Sequence, residues 1–82
     1  MKNKITPEEF IGKAKYDEWG QYVWGVDKAG GKMIANVRAW GAIQNIFGCK
    51  VAKSTEAVKF QDELGQFIAD AINEKIERSK LK

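Results

Sequence analysis

The last third of the chain carries the feature that most constrains the fold, a long amphipathic helix. Apolar residues recur there at intervals of three and four, as residues on one face of an α-helix do: Ala57, Phe60, Leu64, Phe67, Ile68, Ala71 and Ile72. Ser54 or Thr55 can cap the first turn. The pattern predicts a helix over residues 55–78, whose apolar face needs a second layer of structure to cover it.

A short helix and a β-hairpin are predicted ahead of that helix. Residues 6–9, Thr-Pro-Glu-Glu, form a capping-box sequence with proline at the first helical position, which predicts a helix over residues 7–17. Residues 21–26 are rich in aromatic and β-branched types and favour a strand. The two glycines that end residues 27–31 predict a turn, because glycine adopts positive φ without steric cost. Residues 32–40 then form the returning strand.

Alternation along the returning strand predicts its two faces. Met33, Ala35, Val37 and Ala39 fall on one face, which we expect to be core, and Ile34, Asn36, Arg38 and Trp40 fall on the other. Residues 42–47 fit either a short helix or a continuation of this strand, ended by Gly48, and residues 49–52 are a candidate third strand. The sequence thus predicts a single α+β domain over residues 1–82: a short N-terminal helix, a β-hairpin with a candidate third strand, and a long C-terminal helix packed on the sheet.

Several classes of function are disfavoured by the residues that the chain lacks. It has no histidine and one cysteine, Cys49, so Ser-His-Asp triads, Cys-His pairs and the common zinc sites cannot form within it. We therefore expect a binding protein rather than an enzyme, with no catalytic residue, metal or cofactor. The lone cysteine fits a reducing compartment, and no apolar run approaches the roughly 18 residues that span a bilayer. We expect a cytoplasmic protein without membrane contact.

The charge balance argues against nucleic acid as the main partner. A net charge of +3, from 14 basic and 11 acidic residues, is mild for a nucleic-acid binder. Bases cluster only near the C-terminus, at Lys75, Arg78, Lys80 and Lys82. Cations at a helix end complement its dipole, and a nucleic-acid accessory role that uses this tail is the weaker alternative.

Two groups of residues are candidates for a binding site. The first is Arg38, Trp40, Gly41 and Gln44. An indole offers a flat surface to a purine, and a guanidinium can stack or bind phosphate through two hydrogen bonds. Gly41 lets another group approach the backbone. In the alternative interpretation, Trp40 is a core residue and Arg38 lies over it with its charged end in water.

The second group is Gln61 and Gly65, one turn apart in the otherwise apolar arc of the long helix. A buried glutamine needs hydrogen-bond partners, and glycine inside a helix costs about 1 kcal/mol relative to alanine. Either the gap at Gly65 admits a ligand or a second helix, with Gln61 supplying hydrogen bonds, or Gly65 only lets the helix approach its own sheet.

Both groups lie in segments that resemble small phage and prophage proteins. Residues 35–44 are similar to a V-R-G-W-G-x-L-Q segment of that family, and residues 59–69 to its I-Q-D-x-x-G-x-F-I-A segment, which precedes a helical asparagine like Asn73. The chain departs from the pattern at Ala39, where glycine would leave more room beside Trp40. Compact phage proteins of this size include inhibitors of host defence, some of which sequester nucleotide signals. The resemblance implies such a role as an analogy of context.

The leading hypothesis is a phage-encoded homo-oligomer that sequesters a nucleotide-like immune signalling molecule of its bacterial host. Trp40 would stack on the base, Arg38 would meet phosphate, Gln44 and Gln61 would bind polar edges, and Gly41 and Gly65 would give the ligand room. The alternative is a protein–protein inhibitor of a host defence enzyme or complex that uses the same surface. We expect a homo-oligomer because the apolar arc of the long helix is wider than one small sheet can cover.

Overall fold

Three helices and three strands make up the parts of the chain that the computed structural model describes, residues 5–50 and 54–80. The helices are α1 (Pro7–Ile11), α2 (Trp40–Phe47) and α3 (Thr55–Lys80), and the strands are β1 (Ala14–Asp17), β2 (Tyr22–Gly25) and β3 (Met33–Asn36). The strands form one antiparallel sheet in the order β1-β2-β3, and α3 packs on β1 and β2. The predicted α+β architecture, with the long helix on the sheet, is confirmed.

The N-terminal helix begins as predicted but is much shorter. Thr6 and Glu9 form the capping box: the Glu9 N–H donates to Thr6 Oγ1 at 3.2 Å, and the Thr6 N–H donates to Glu9 Oε1 at 2.9 Å. The prediction that the helix continues to residue 17 is wrong. Gly12 adopts φ +68° at its C-cap, and residues 14–17 pair with β2 as the strand β1. Ala14, inside the predicted helical range, is a buried strand residue.

The hairpin is confirmed, but its second strand is shorter than predicted and its faces are mixed. Val37 is buried, whereas Met33, assigned to the same core face, is 59% exposed. The pairing register shifts between Val23 and Trp24, and an irregularity of this kind breaks the alternation of side chains. β3 ends at Asn36, whose Oδ1 accepts a hydrogen bond from the Arg38 N–H at 3.0 Å and turns the chain out of the sheet.

The segment that allowed two interpretations is helical. α2 spans Trp40–Phe47, and its C-cap is Gly48, which takes the left-handed conformation at φ 72° and ψ 17°. The candidate third strand at residues 49–52 is not supported at Cys49 and Lys50, which lie in no strand, and its other residues fall outside the described part of the chain. The third strand of the sheet is instead β1.

The C-terminal helix is confirmed over its whole predicted length. Its cap is Ser54 rather than Thr55, since Ser54 Oγ accepts a hydrogen bond from the Ala57 N–H at 3.2 Å. The residues buried along α3 are Ala57, Gln61, Gly65, Ala69 and Ile76. None of the helices in residues 5–50 and 54–80 is long and apolar enough to cross a membrane.

Candidate functional site

Arg38 and Trp40 come together, although neither lies in a strand as predicted. The Arg38 Cζ atom lies 5.3 Å from the centroid of the Trp40 ring, a cation–π arrangement. Arg38 Nη2 donates to the Gly20 carbonyl at 3.0 Å, and Trp40 Nε1 donates to Gln21 Oε1 at 2.9 Å. The turn between β1 and β2 therefore holds both side chains in place.

That turn is braced by its own hydrogen bonds. Asp17 Oδ1 accepts from the Trp19 N–H at 3.1 Å, and the Asp17 carbonyl accepts from the Gln21 N–H at 2.7 Å. Gln21 has φ +57°, the positive-φ conformation found at just one non-glycine residue in the described part of the chain. This conformation costs about 1–2 kcal/mol for a residue with a Cβ, so the surrounding contacts must hold Gln21 where its side chain meets Trp40.

Trp19 is the residue that the sequence interpretation missed. It lies beyond the predicted helix at residues 7–17 and outside both predicted site groups, and it sits in the β1–β2 turn with 90% of its surface exposed. The signal that could have placed it there is Asp17 at the first position and Gly20 at the fourth, a common β-turn pattern. The largest side-chain type in the chain is thus presented to solvent on a hydrogen-bonded turn.

Gly41 and Gln44 complete the predicted first group on α2. Trp40 and Gln44 are four residues apart and so face the same side of the helix. Gly41 is exposed, and a Cβ built on it would meet no atom within 4 Å. We define the aromatic–arginine surface as Trp19, Gln21, Arg38, Trp40 and Gln44. Its members are exposed or half-exposed, so it is an open surface rather than an enclosed pocket.

Gln61 lies behind this surface and holds its backbone. Its side chain is fully buried. Its Oε1 accepts from the Ala39 N–H at 2.8 Å, and its Nε2 donates to the Val37 carbonyl at 2.9 Å. The amide thereby binds the residues on both sides of Arg38, across 22 and 24 positions of sequence. Gln61 positions Arg38 and does not present its amide to a ligand, which corrects the predicted role.

Gly65 also serves the fold rather than a ligand. A Cβ at this position would overlap the ring of Tyr16 on β1. Of the two alternatives for Gly65, the structure therefore agrees with the one in which glycine lets the helix approach its own sheet, and Tyr16 fills the gap. The Tyr16 hydroxyl donates to Asp62 Oδ1 at 2.7 Å. Burial of the phenol and then this hydrogen bond raise the pKa of Tyr16 well above its usual range.

A second amide on α3 repeats the arrangement of Gln61. Asn73 Oδ1 accepts from the Ala14 N–H at 2.7 Å, and Asn73 Nδ2 donates to the Ala14 carbonyl at 2.9 Å. These two bonds occupy both backbone polar groups of a β1 residue. Asn73, Tyr16 and Gln61 together fix the sheet and the chain before α2 against α3, which leaves the exposed residues as the ones available for binding.

Neither a metal centre nor a known relative helps to assign the site. No group of three or more Asp, Glu, Cys or His able to hold a metal occurs in residues 5–50 and 54–80. No protein-family model, curated protein or solved structure matches the chain. The function therefore has to follow from the geometry of the aromatic–arginine surface.

Proposed function

We propose that this chain is a protein-binding module that docks its aromatic–arginine surface onto a folded partner. The observation that carries the proposal is Trp19, 90% exposed on a turn braced by Asp17. Tryptophan and arginine are the residue types that most often dominate protein–protein affinity. Because the Asp17 hydrogen bond already holds the backbone at Trp19, less backbone freedom is lost when this side chain docks.

The openness of the surface favours a macromolecule over a nucleotide. Small-ligand sites bury about 70–90% of the ligand surface, whereas Trp19, Arg38 and Gly41 are exposed and Trp40 is 39% exposed. The guanidinium of Arg38 already lies over the Trp40 ring. A base stacking on that side of the ring would have to displace it.

The same geometry defines the chemistry of the partner. Trp19 requires an apolar pocket large enough for an indole. A guanidinium carries five N–H donors; Arg38 gives one to Gly20, and its exposed remainder suits a carboxylate held through two hydrogen bonds. The partner surface is therefore an apolar pocket with an acidic rim. The resemblance to phage proteins suggests that the partner is a host defence protein, and that docking of this chain would inhibit its activity.

The test begins with affinity capture from a bacterial lysate and continues with calorimetric titration of the purified pair. Trp19→Ala should weaken binding by about 2 kcal/mol or more, roughly 30-fold, and Arg38→Ala by at least about tenfold. The control is Arg78→Ala, an exposed arginine on α3 that lies 3.6 Å from Glu74; its affinity should stay within about twofold of the parent value. All three should melt within a few degrees of the parent because the residues are exposed.

Two results would contradict the proposal. One is a captured protein whose affinity is unchanged by Trp19→Ala and Arg38→Ala. The other is a nucleotide released when protein purified from cells is denatured, detected by mass spectrometry and bound again in an Arg38-dependent way. The second result would restore the sequestration hypothesis.

A further inference from the structure

The face of the sheet opposite α3 carries two aromatic side chains and a lysine. α3 packs on the face that holds Ala14 and Val23, and side chains alternate along a strand, so Lys15, Tyr22 and Trp24 lie on the other face. The register pairs Lys15 with Trp24, and Lys15 Nζ lies 5.7 Å from the centroid of the Trp24 ring. Lys15 is exposed and both rings are half-exposed, so a ligand on this side can reach all three.

Four lysines gather at the end of the sheet where the chain turns from β2 to β3. The Lys13 carbonyl accepts from the Val26 N–H at 3.1 Å, and the Lys32 carbonyl accepts from the Gly25 N–H at 3.3 Å. Lys28 lies in the turn between them. We define the lysine cluster as Lys13, Lys15, Lys28 and Lys32, all of them exposed. No ion pair in the described part of the chain involves the cluster. The sequence does not show it, because its members meet only when β1 pairs with β2.

The carboxylates near the lysine cluster do not neutralise it. Asp27 lies in the same turn, but its carboxylate packs beside Gly12 and lines a groove next to α3 together with Glu8 and Glu9. Asp17 is on the same strand as Lys15 but at the other end, where it pairs with β2 at the start of that strand. Four cations therefore stand against the single carboxylate of Asp27 at this end of the sheet.

We propose that this face binds single-stranded nucleic acid, with bases on Trp24 and Tyr22 and phosphates at the lysine cluster. Proteins hold single strands by stacking bases on aromatic side chains beside a cationic path for the backbone, and an open sheet is one such platform. Lys15 can leave the Trp24 ring for a phosphate, because no hydrogen bond within the described chain holds its Nζ. Arg38 differs, since the Gly20 carbonyl holds its guanidinium.

The lysine cluster sets the expected salt dependence. Each phosphate neutralised on a single strand contributes about −0.7 to the slope of log K against log salt concentration, so full use of the cluster gives a slope of about −2.8. Stacking on the two rings adds a part of the affinity that salt leaves unchanged. A charge-only polyanion, such as an acidic protein segment, would use the lysines without the rings.

Fluorescence anisotropy with a labelled oligoadenylate RNA of about 12 nucleotides, a length that fits one single-strand site, tests the proposal. Lys15→Ala and Lys32→Ala should each make the salt slope shallower by about 0.7. Trp24→Leu should weaken binding at least about fivefold with the salt slope unchanged. The matched control is Lys59→Ala, an exposed lysine on α3, whose affinity should stay within about twofold of the parent value. Because Trp24 is half-buried, circular dichroism must show that its variant is folded; the lysine variants test the proposal without it.

Four outcomes would overturn the proposal. The first is a parent that does not bind the RNA at low salt. The second is equal or tighter binding of the same RNA in duplex with oligouridylate, or of poly-glutamate, which would point to charge alone. The third is a Lys59→Ala variant weakened as much as Lys15→Ala. The fourth is loss of RNA binding in Trp19→Ala, which would assign the RNA to the aromatic–arginine surface. If Trp19→Ala binds RNA like the parent, this proposal and the docking proposal stand or fall separately.

Discussion

Replacing Gln61 by leucine should destabilise the protein by about 2–4 kcal/mol. Leucine keeps much of the volume but leaves the Ala39 N–H and the Val37 carbonyl without the partners they have at 2.8 and 2.9 Å. Each buried polar group left unsatisfied costs about 1–3 kcal/mol. Val37 is buried but Ala39 is only half-buried, so water can partly satisfy the Ala39 N–H. The expected loss therefore falls in the lower half of the summed range of about 2–6 kcal/mol. A chain of this length has about 4–12 kcal/mol of stability in total.

Urea unfolding followed by circular dichroism measures this loss. The control is Gln66→Leu: Gln66 is exposed on the same helix, and its Nε2 donates to Asp70 Oδ1 at 2.8 Å. Its effect should stay within about 0.5 kcal/mol. Gln61→Leu should also lower the melting temperature by about 8–30 °C. Native-state hydrogen exchange at the Ala39 amide should become faster in Gln61→Leu and remain unchanged in the control.

The reasoning is refuted if the two glutamine variants unfold at the same urea concentration and the Ala39 amide keeps its protection. In that case the amide of Gln61 would not be what holds the segment around Arg38. If Gln61→Leu is destabilised but hydrogen exchange at the Ala39 amide is unchanged, the lost stability comes from the packing of Gln61 and not from its hydrogen bonds. That result would refute only the role of Gln61 in positioning Arg38.

Three further predictions concern other positions. Gly65→Ala should destabilise the protein by about 1–3 kcal/mol, because the added Cβ overlaps the Tyr16 ring. Gly41→Ala should stabilise it by up to about 1 kcal/mol, because the added Cβ meets no atom within 4 Å. If urea unfolding shows that both variants change the free energy of unfolding in the same direction, this contrast is wrong. The folded-state pKa of Tyr16 is raised by burial and by Asp62, so its contribution to stability is complete below the unfolded pKa of about 10 and is lost as pH rises further. Above a pH of about 10 the free energy of unfolding should therefore fall less steeply with pH in Tyr16→Phe than in the parent. Identical pH profiles for the two proteins would contradict this role of Tyr16. Cys49 is an exposed free thiol, so Cys49→Ser should change the free energy of unfolding by about 1 kcal/mol or less in the same assay. An intermolecular disulfide through Cys49 that is needed for binding would contradict the expectation that this thiol has no functional role.

Three of the five residues of the aromatic–arginine surface, Arg38, Trp40 and Gln44, are predicted from sequence, because only some of its members carry a local signal. Arg38 and Trp40 stand two residues apart and were singled out together, and the structure brings them within stacking distance. Trp19 and Gln21 were not assigned to the site, since their place in it depends on how the β1–β2 turn meets a segment about 18 residues later. The partners of Gln61 lie 22 and 24 positions away in sequence, so its positioning role has no local sequence signal either.

The sequence by itself determined the elements whose signals are local and repeated. The apolar spacing of α3 repeats over many turns, and the Thr6–Glu9 capping box starts α1. Gly48 marks the end of residues 42–47, although the sequence left that segment open between helix and strand. Only the tertiary structure decided that residues 14–17 are a strand, because four residues are too few to show a period and become a strand by pairing with β2. It likewise decided that the gap at Gly65 is filled by Tyr16, since a cavity and the side chain that fills it meet only when distant segments pack.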